Sequence, residues 1–178
     1  LIGMFAFALW NLRDRTLFLA RDRLGIKPLY YSHTPHAFRF ASNSQALLTV
    51  PDTDTTIDPI GLHHQLTLHA VIPAPRTILK GIRKLAPATT LTIDASGAIR
   101  TRTYWHLQAM RPAEPRTEAE WTEAVHAALR LAVRRRLDIA DVPVGILLSG
   151  GLDSSLLVAL AAESGVRDLL TFSVGFED

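Results

Sequence analysis

Residues 144–163, VGILLSGGLDSSLLVALAAE, join two apolar runs through a short segment of glycines, hydroxyls and one acid. The first run, VGILL, is short and continuous, which is typical of a strand covered on both faces in a parallel sheet. The second run, SSLLVALAAE, is rich in residues that favour a helix. The stretch therefore predicts a buried strand, a tight loop and a helix that begins near Asp153.

Three common motifs fail to describe the loop between these runs. A Walker A loop requires G-x-x-x-x-G-K-[ST], but the lysines of the chain are Lys27, Lys80 and Lys84, far from the loop. A hydrolase elbow requires G-x-S-x-G, but Leu147 stands two residues before Ser149. The G-x-G-x-x-G spacing of dinucleotide-binding loops is absent as well.

A phosphate cradle of another kind explains the loop better. Glycines let the backbone turn sharply, and the first amides of a helix are unpaired donors with partial positive charge. Serine hydroxyls add further donors, and the set suits a pyrophosphate group. Because Asp153 would repel a bare phosphate, its presence predicts Mg²⁺ between them. The alternative is an ordinary turn in which Asp153 only caps the helix.

Composition limits the classes of protein and partner. The chain has 178 residues, of which 48% are hydrophobic, so it can bury a core. It has no cysteine, which excludes a disulfide framework, a thiolate zinc site and a cysteine nucleophile within these residues. The formal net charge of +2 does not favour nucleic acid as a partner. No apolar run approaches the roughly 18 residues of a membrane span, and the first residues do not resemble a secretory signal. We therefore expect no membrane partner and a cytoplasmic location.

The first hundred residues are expected to be rich in β-structure. The runs GMFAFALWN and RTLFLARD predict one hairpin, LYYSH and AFRFAS a second, and TTLTIDASGAIRTRTYW a third. NSQALLTV predicts a short helix. Asp58 followed by Pro59 predicts the start of another helix, over DPIGLHHQLTLHA.

A linker and a parallel α/β segment are expected to follow. MRPAEPR carries two prolines within four residues and has no periodicity. Thr117 and Glu120 then form a capping-box pattern at the start of a helix over 118–137. Its apolar stripe consists of Trp121, Val125, Leu129 and Val133. Strands at 145–148 and 170–175 are expected to be parallel neighbours. The chain starts without methionine and ends directly after the last predicted strand, so we expect an internal piece of a longer protein.

These residues carry a resemblance to a known family. LLSGGLDSS resembles the pyrophosphate loop of the ATP pyrophosphatases. The stretches GMFAFALWN, RDRLGIKPLYY, FAS, ALL and VPVGILLSGGLDSS, in that order, resemble the glutamine-dependent asparagine synthetases. DPIGLHHQLTLHAVIPAPRTILKGIRKL and LLTFSVGFED are similar to the N-acetylglutaminylglutamine amidotransferase branch. One departure stands at Asn43, where the family usually has glutamate after FAS.

The resemblance implies a fold and a division of the chain. Residues 1–110 would be the C-terminal part of a β-rich glutaminase domain of the N-terminal-nucleophile type, α+β in class. Residues 111–117 would be a linker, and residues 118–178 the first β-α-β of a parallel-sheet, α/β ATP-pyrophosphatase domain. The cysteine nucleophile of the glutaminase would lie upstream of Leu1, so this piece would hold no catalytic residue and would be inactive alone.

The resemblance also implies ligands. The whole protein would use ATP and Mg²⁺ to activate an acceptor carboxylate, aspartate or a related acid, and would amidate it with ammonia from glutamine. The resemblance is also compatible with a homodimer. Asp153 would hold the metal, and the nucleotide would be bound by Leu147, Leu148, Ser149, Gly150, Gly151, Leu152, Asp153, Ser154, Ser155 and Val174.

Other interpretations are weaker. A tRNA sulfur transferase or another ATP pyrophosphatase would share the loop but would not carry the preceding GMFAFA segment. His63, His64 and His69 lack the i, i+4 spacing and the acidic partner of a metal site, so the surface of a helix explains them. The arginines at 134–136 lie near a helix C-terminus, where cations are favourable, and do not indicate nucleic acid.

Overall fold

The computed structural model describes residues 1–111, 113–166 and 168–175. It divides into two compact units, Leu1–Ala109 and Met110–Asp178. Pro112, within the predicted linker, and residues 176–178, the end of the LLTFSVGFED stretch, lie outside the described residues.

The first unit is built on two antiparallel sheets. Strands β1 to β7 span Ala6–Asn11, Thr16–Arg21, Tyr30–Thr34, Ala37–Ala41, Arg83–Lys84, Thr89–Ile93 and Ile99–Thr103. The larger sheet has the order β1-β2-β6-β7, and the smaller has the order β4-β3-β5. The three predicted hairpins are confirmed as the antiparallel pairs β1–β2, β3–β4 and β6–β7.

Two helices of the first unit begin at side-chain caps. Helix α1, Ser44–Leu48, follows Asn43, whose side chain accepts a hydrogen bond from the amide of Ala46 at 2.9 Å. Helix α2, Pro59–Thr67, follows Asp58, whose carboxylate accepts from the amides of Ile60 and Gly61. Both predicted helices are confirmed, although α2 ends at Thr67, earlier than the predicted run.

Alternation along the strands gives the first unit its core. Leu19 and Leu91 are at most 1% exposed and pack with the buried side chains of Leu29 and Leu85. Each such leucine contributes roughly 1.5–3 kcal/mol through the apolar surface that it removes from water. The core therefore holds the hairpins together through contacts between residues far apart in sequence.

The second unit alternates helices and strands. Helix α3 spans Glu118–Asp138, β8 Gly145–Leu147, α4 Leu152–Glu163 and β9 Leu170–Phe172. The predicted capping box is confirmed, because Glu120 donates its amide to Thr117 Oγ1 and accepts the Thr117 amide in return. Strands β8 and β9 are parallel neighbours, as predicted, with Gly145 opposite Leu170. Leu160 and Ala161 of α4 are buried against Val133 of α3.

One expectation about burial in this unit is wrong. The strands are not covered on both faces within the described residues, since Leu147 is 78% and Phe172 56% exposed. Of the β8 residues, only Ile146 packs against the core formed by α3 and α4. These two helices form one layer, which covers one face of the strand. The apolar stripe of α3 is covered at Val133 and partly at Leu129, whereas Trp121 and Val125 are 44% and 53% exposed. An apolar pattern marks the face that can be buried, and only the tertiary partners decide whether it is.

Candidate functional site

The predicted phosphate loop connects β8 to α4. Residues 148–151 leave the strand, and Gly150 adopts a φ of 82°, a conformation that side chains other than glycine rarely take. Gly151 returns to an extended conformation and is the N-cap of α4. The two glycines thus let the chain reverse direction within three residues of the strand.

The start of α4 presents free amides to this loop. The first i→i−4 hydrogen bond runs from the amide of Ser155 to the carbonyl of Gly151, at 3.1 Å. The amides of Leu152, Asp153 and Ser154 precede that bond, so the helix offers them no carbonyl of its own. Their partial positive charge favours an anion at this end of the helix.

The serine hydroxyls are partly engaged within the loop. Ser154 Oγ accepts the amide of Ser149 at 3.3 Å, lies 3.2 Å from Ser149 Oγ and donates to the Gly151 carbonyl at 3.1 Å. Ser155 Oγ donates to the same carbonyl at 2.8 Å. Since a hydroxyl has one proton, these side chains would have to exchange partners to donate to a phosphate. They hold the two ends of the loop together.

Asp153 lies in the first turn of α4 and is exposed. It is not the cap of this helix, because Gly151 occupies the cap position and no side chain caps α4. The alternative role that the sequence left open, a helix cap, is therefore not the one this side chain adopts. Among the described residues there is no cluster of three metal-binding side chains. A Mg²⁺ here would take one carboxylate from this segment and its other oxygens from phosphate and water, which suits its preference for several non-protein ligands.

The remaining residues that are predicted to bind the nucleotide lie at or beside the ends of the two strands. Leu147 ends β8, and Val174, 83% exposed, follows β9 at the same edge because the strands are parallel. Leu148 extends the pairing, since its amide donates to the carbonyl of Phe172 at 2.8 Å. Open α/β sheets bind ligands at this carboxyl edge. Leu152, 83% exposed, begins α4 beside it.

Sequence reasoning missed Ser173. Its Oγ donates to the carbonyl of Leu148 at 2.7 Å and so ties the end of β9 to the residue where the loop begins. Its position within the strand predicted over 170–175, parallel to the strand that precedes the loop, was the available signal. The contact itself depends on the register of the two strands.

The remaining polar clusters have structural explanations. His63 and His64 lie side by side on α2 with ring centroids 6.0 Å apart, and no metal group includes them among the described residues. Arg134 pairs with Asp138 at 3.5 Å, and Arg136 donates to a carbonyl in the preceding turn. No helix in the described ranges combines the length and the apolar character that crossing a bilayer requires.

Comparisons with known proteins agree with both units. Residues 1–105 match the model of the glutamine amidotransferase domain, and residues 124–178 match the model of asparagine synthase. The chain therefore belongs to the asparagine synthetase family, and its first unit matches a glutamine amidotransferase domain over residues 1–105. It is 38% identical over 177 residues to glutamine-hydrolysing asparagine synthetase 1 of Bacillus subtilis (strain 168), and 37% identical over 182 residues to asparagine synthetase 3 of the same strain.

These alignments cover 98% and 99% of this chain but 27% and 29% of the two relatives. Among solved structures, the glutamine phosphoribosylpyrophosphate amidotransferase of B. subtilis matches with a TM-score of 0.35 and 14% identity, over 96% of this chain and 32% of that one.

Proposed function

We propose that this chain is part of an ATP-dependent, glutamine-hydrolysing amidotransferase of the asparagine synthetase type. Residues 1–110 would belong to its glutaminase domain, 111–117 to a linker and 118–178 to its ATP-pyrophosphatase domain. The observation that carries the proposal is the loop from Leu148 to Ser155, where free helix amides follow a strand directly. The proposal is supported further by relatives whose names specify glutamine hydrolysis and asparagine synthesis.

The reaction would proceed in three steps. Glutamine is hydrolysed to glutamate and ammonia in the glutaminase domain. The acceptor carboxylate attacks the α-phosphate of ATP, which gives an acyl-adenylate and releases pyrophosphate. Ammonia then attacks the activated carbonyl and displaces AMP. Adenylation is required because a carboxylate is a poor acyl donor and AMP is a good leaving group.

The described residues would act on the leaving pyrophosphate. The amides at the start of α4, with Ser149, Gly150, Gly151, Ser154 and Ser155, would bind its oxygens, and the backbone at Leu147, Leu148 and Val174 would contact the adenosine. Asp153 would hold Mg²⁺, which supplies positive charge to offset that of the phosphates. Aspartate is the acceptor that the relatives' names suggest. N-acetylglutaminylglutamine is a second candidate, from the likeness of residues 58–85 and 169–178 to that branch. The homodimer and the cytoplasmic location stay predictions.

Replacing Asp153 with alanine in the full-length protein tests the proposal. We expect synthesis and ATP–pyrophosphate exchange to fall by about a hundredfold or more, since charge stabilisation of a leaving group of this kind is worth that much. Glutamine hydrolysis should persist, because its nucleophile lies in another domain. Both activities are measured per folded enzyme, with aspartate and N-acetylglutaminylglutamine as acceptors.

Glu163→Ala is the matched control, because it removes an acid from the other end of α4. It should leave both activities close to those of the parent. Normal synthesis by the Asp153→Ala protein would refute the metal-binding role. A parallel loss of both activities would show instead that the residue serves folding.

A further inference from the structure

A cavity lies within the first unit, apart from the phosphate loop. It has a volume of about 220 Å³, and its walls include Tyr30 of β3, Ser44 of α1, Gln65 of α2 and Lys84 of β5. Four separate elements thus bring four polar side chains to one space. The volume corresponds to roughly seven water molecules, which is room for a molecule of amino-acid size.

Lys84 provides the charge of this cavity. Its half-buried ammonium donates to the backbone carbonyl of Ile72, which also lines the cavity. Among the described residues no carboxylate lies within 4.0 Å of it. Burial lowers the pKa of Lys84 below its ordinary value, and the positive charge of Arg21 lowers it further. A cation in such a place is stabilised when an anion approaches it.

The nearby charged residues do not neutralise it. The guanidinium of Arg21 donates to the carbonyls of Gly25, Lys27 and Leu85, at 2.6, 2.8 and 2.5 Å. The carboxylate of Asp22 is occupied by four backbone amides, those of Phe5, Leu24, Ile26 and Lys27. The carboxylate of Asp22 offsets the charge of Arg21, so Lys84 is the cation of this cavity that no carboxylate of the described residues pairs within 4.0 Å.

Neutral donors complete the lining. In the part of the chain that the structure describes, Tyr30 Oη, Ser44 Oγ and the Gln65 amide make no hydrogen bond to another protein group, whereas Thr77 on the same wall is bonded to Leu79 and Ile82. Three uncommitted polar groups beside one ammonium are the arrangement by which a pocket orients a small polar ligand.

We propose that this cavity binds a small monocarboxylate of amino-acid size, with the carboxylate against Lys84 and the polar remainder against Tyr30, Ser44 and Gln65. One ammonium balances one carboxylate, whereas a phosphate dianion would leave a buried negative charge uncompensated. The site is separate from the nucleotide loop, and the proposal does not depend on the function proposed above.

Lysine-resolved labelling of the full-length protein tests this proposal. The protein is reductively methylated with increasing lactate at constant ionic strength, and the rates at Lys84 and Lys80 are read by peptide mass spectrometry. Lactate is the probe because it is a monocarboxylate with one further hydroxyl. We expect saturable protection of Lys84, by about elevenfold when lactate is ten times its Kd, and none at Lys80, which lines a different cavity.

Two glutamine variants test whether Gln65 contributes to binding. Gln65→Ala removes one donor of the cavity and should raise the lactate concentration for half-protection by about fivefold, the worth of one hydrogen bond. Gln45→Ala is the matched control, because Gln45 is exposed on α1 and does not line the cavity. Equal shifts in the two variants would overturn the assignment of Gln65.

Three other outcomes would overturn the proposal itself. They are no protection of Lys84 by lactate, equal protection by chloride, and stronger protection by phosphate. Because the readout is the reactivity of one lysine, binding of carboxylates at the synthetase or glutaminase sites does not affect the result.

Discussion

At the scale of single residues, Asp22 shows how one buried acid organises a loop. Its side chain is 1% exposed and accepts the amides of Phe5, Leu24, Ile26 and Lys27 at 2.9–3.3 Å. Burial by itself would raise the pKa of this carboxyl, but the four amides outweigh it and hold the pKa below its ordinary value. The segment RDRLGIKP is therefore an ordered turn rather than a loose one.

Replacing Asp22 with asparagine should destabilise the first unit. In either orientation the NH2 group of the asparagine faces backbone N–H donors, from which it cannot accept a hydrogen bond. We therefore expect the free energy of unfolding to fall by about 3 kcal/mol. Urea unfolding at pH 7 measures this loss. Asp14→Asn, an exposed substitution in the β1–β2 turn, is the control and should change the free energy of unfolding by less than about 0.5 kcal/mol.

The pH dependence of this stabilisation follows from the lowered pKa. The contribution of Asp22 is present above the unfolded-state pKa of about 3.9 and is lost as the pH falls through the lower folded-state value. The difference in stability between parent and Asp22→Asn protein should therefore shrink in acid. A difference that stays constant from pH 7 to pH 2 would show that charge is not the cause.

At the scale of elements, helix α2 is fixed by a close approach that its own sequence does not reveal. A Cβ added at Gly61 would lie 2.2 Å from the backbone carbonyl oxygen of Thr77, a distance that no side chain tolerates. The start of α2 was predictable, because Asp58 and Pro59 are local signals. The need for glycine one turn later was not, because Thr77 comes from another segment.

Gly61→Ala should accordingly destabilise the chain. Alanine favours a helix over glycine by about 1 kcal/mol, but the backbone displacement that it forces costs more, and we expect a net loss of about 1–3 kcal/mol. Thermal unfolding measures the change. Leu66→Ala, at a position of the same helix that is 76% exposed, serves as control and should have little effect. An increase in stability on Gly61→Ala would contradict the close packing of α2 on Thr77.

At the scale of the whole chain, the absence of cysteine separates this segment from glutamine chemistry. The 178-residue chain, purified and shown to be folded by circular dichroism, should release no glutamate from glutamine, because it lacks a thiol nucleophile. A coupled glutamate assay measures this, with the full-length protein as positive control. Glutamate release by the 178-residue chain above the rate without protein would overturn the proposed assignment of the domains.

The sequence by itself determined what depends on neighbours along the chain. Alternation gave the hairpins, Asp58 and Thr117 gave the helix starts, and the glycines after an apolar run gave the loop between β8 and α4. Tertiary structure decided what depends on residues far apart. It left Leu147 and Phe172 exposed, tied Ser173 to the loop and gathered Tyr30, Ser44, Gln65 and Lys84 around one cavity. The physical reason is that hydrogen-bonded turns and caps act within a few residues, whereas burial and cavities depend on how separate elements pack.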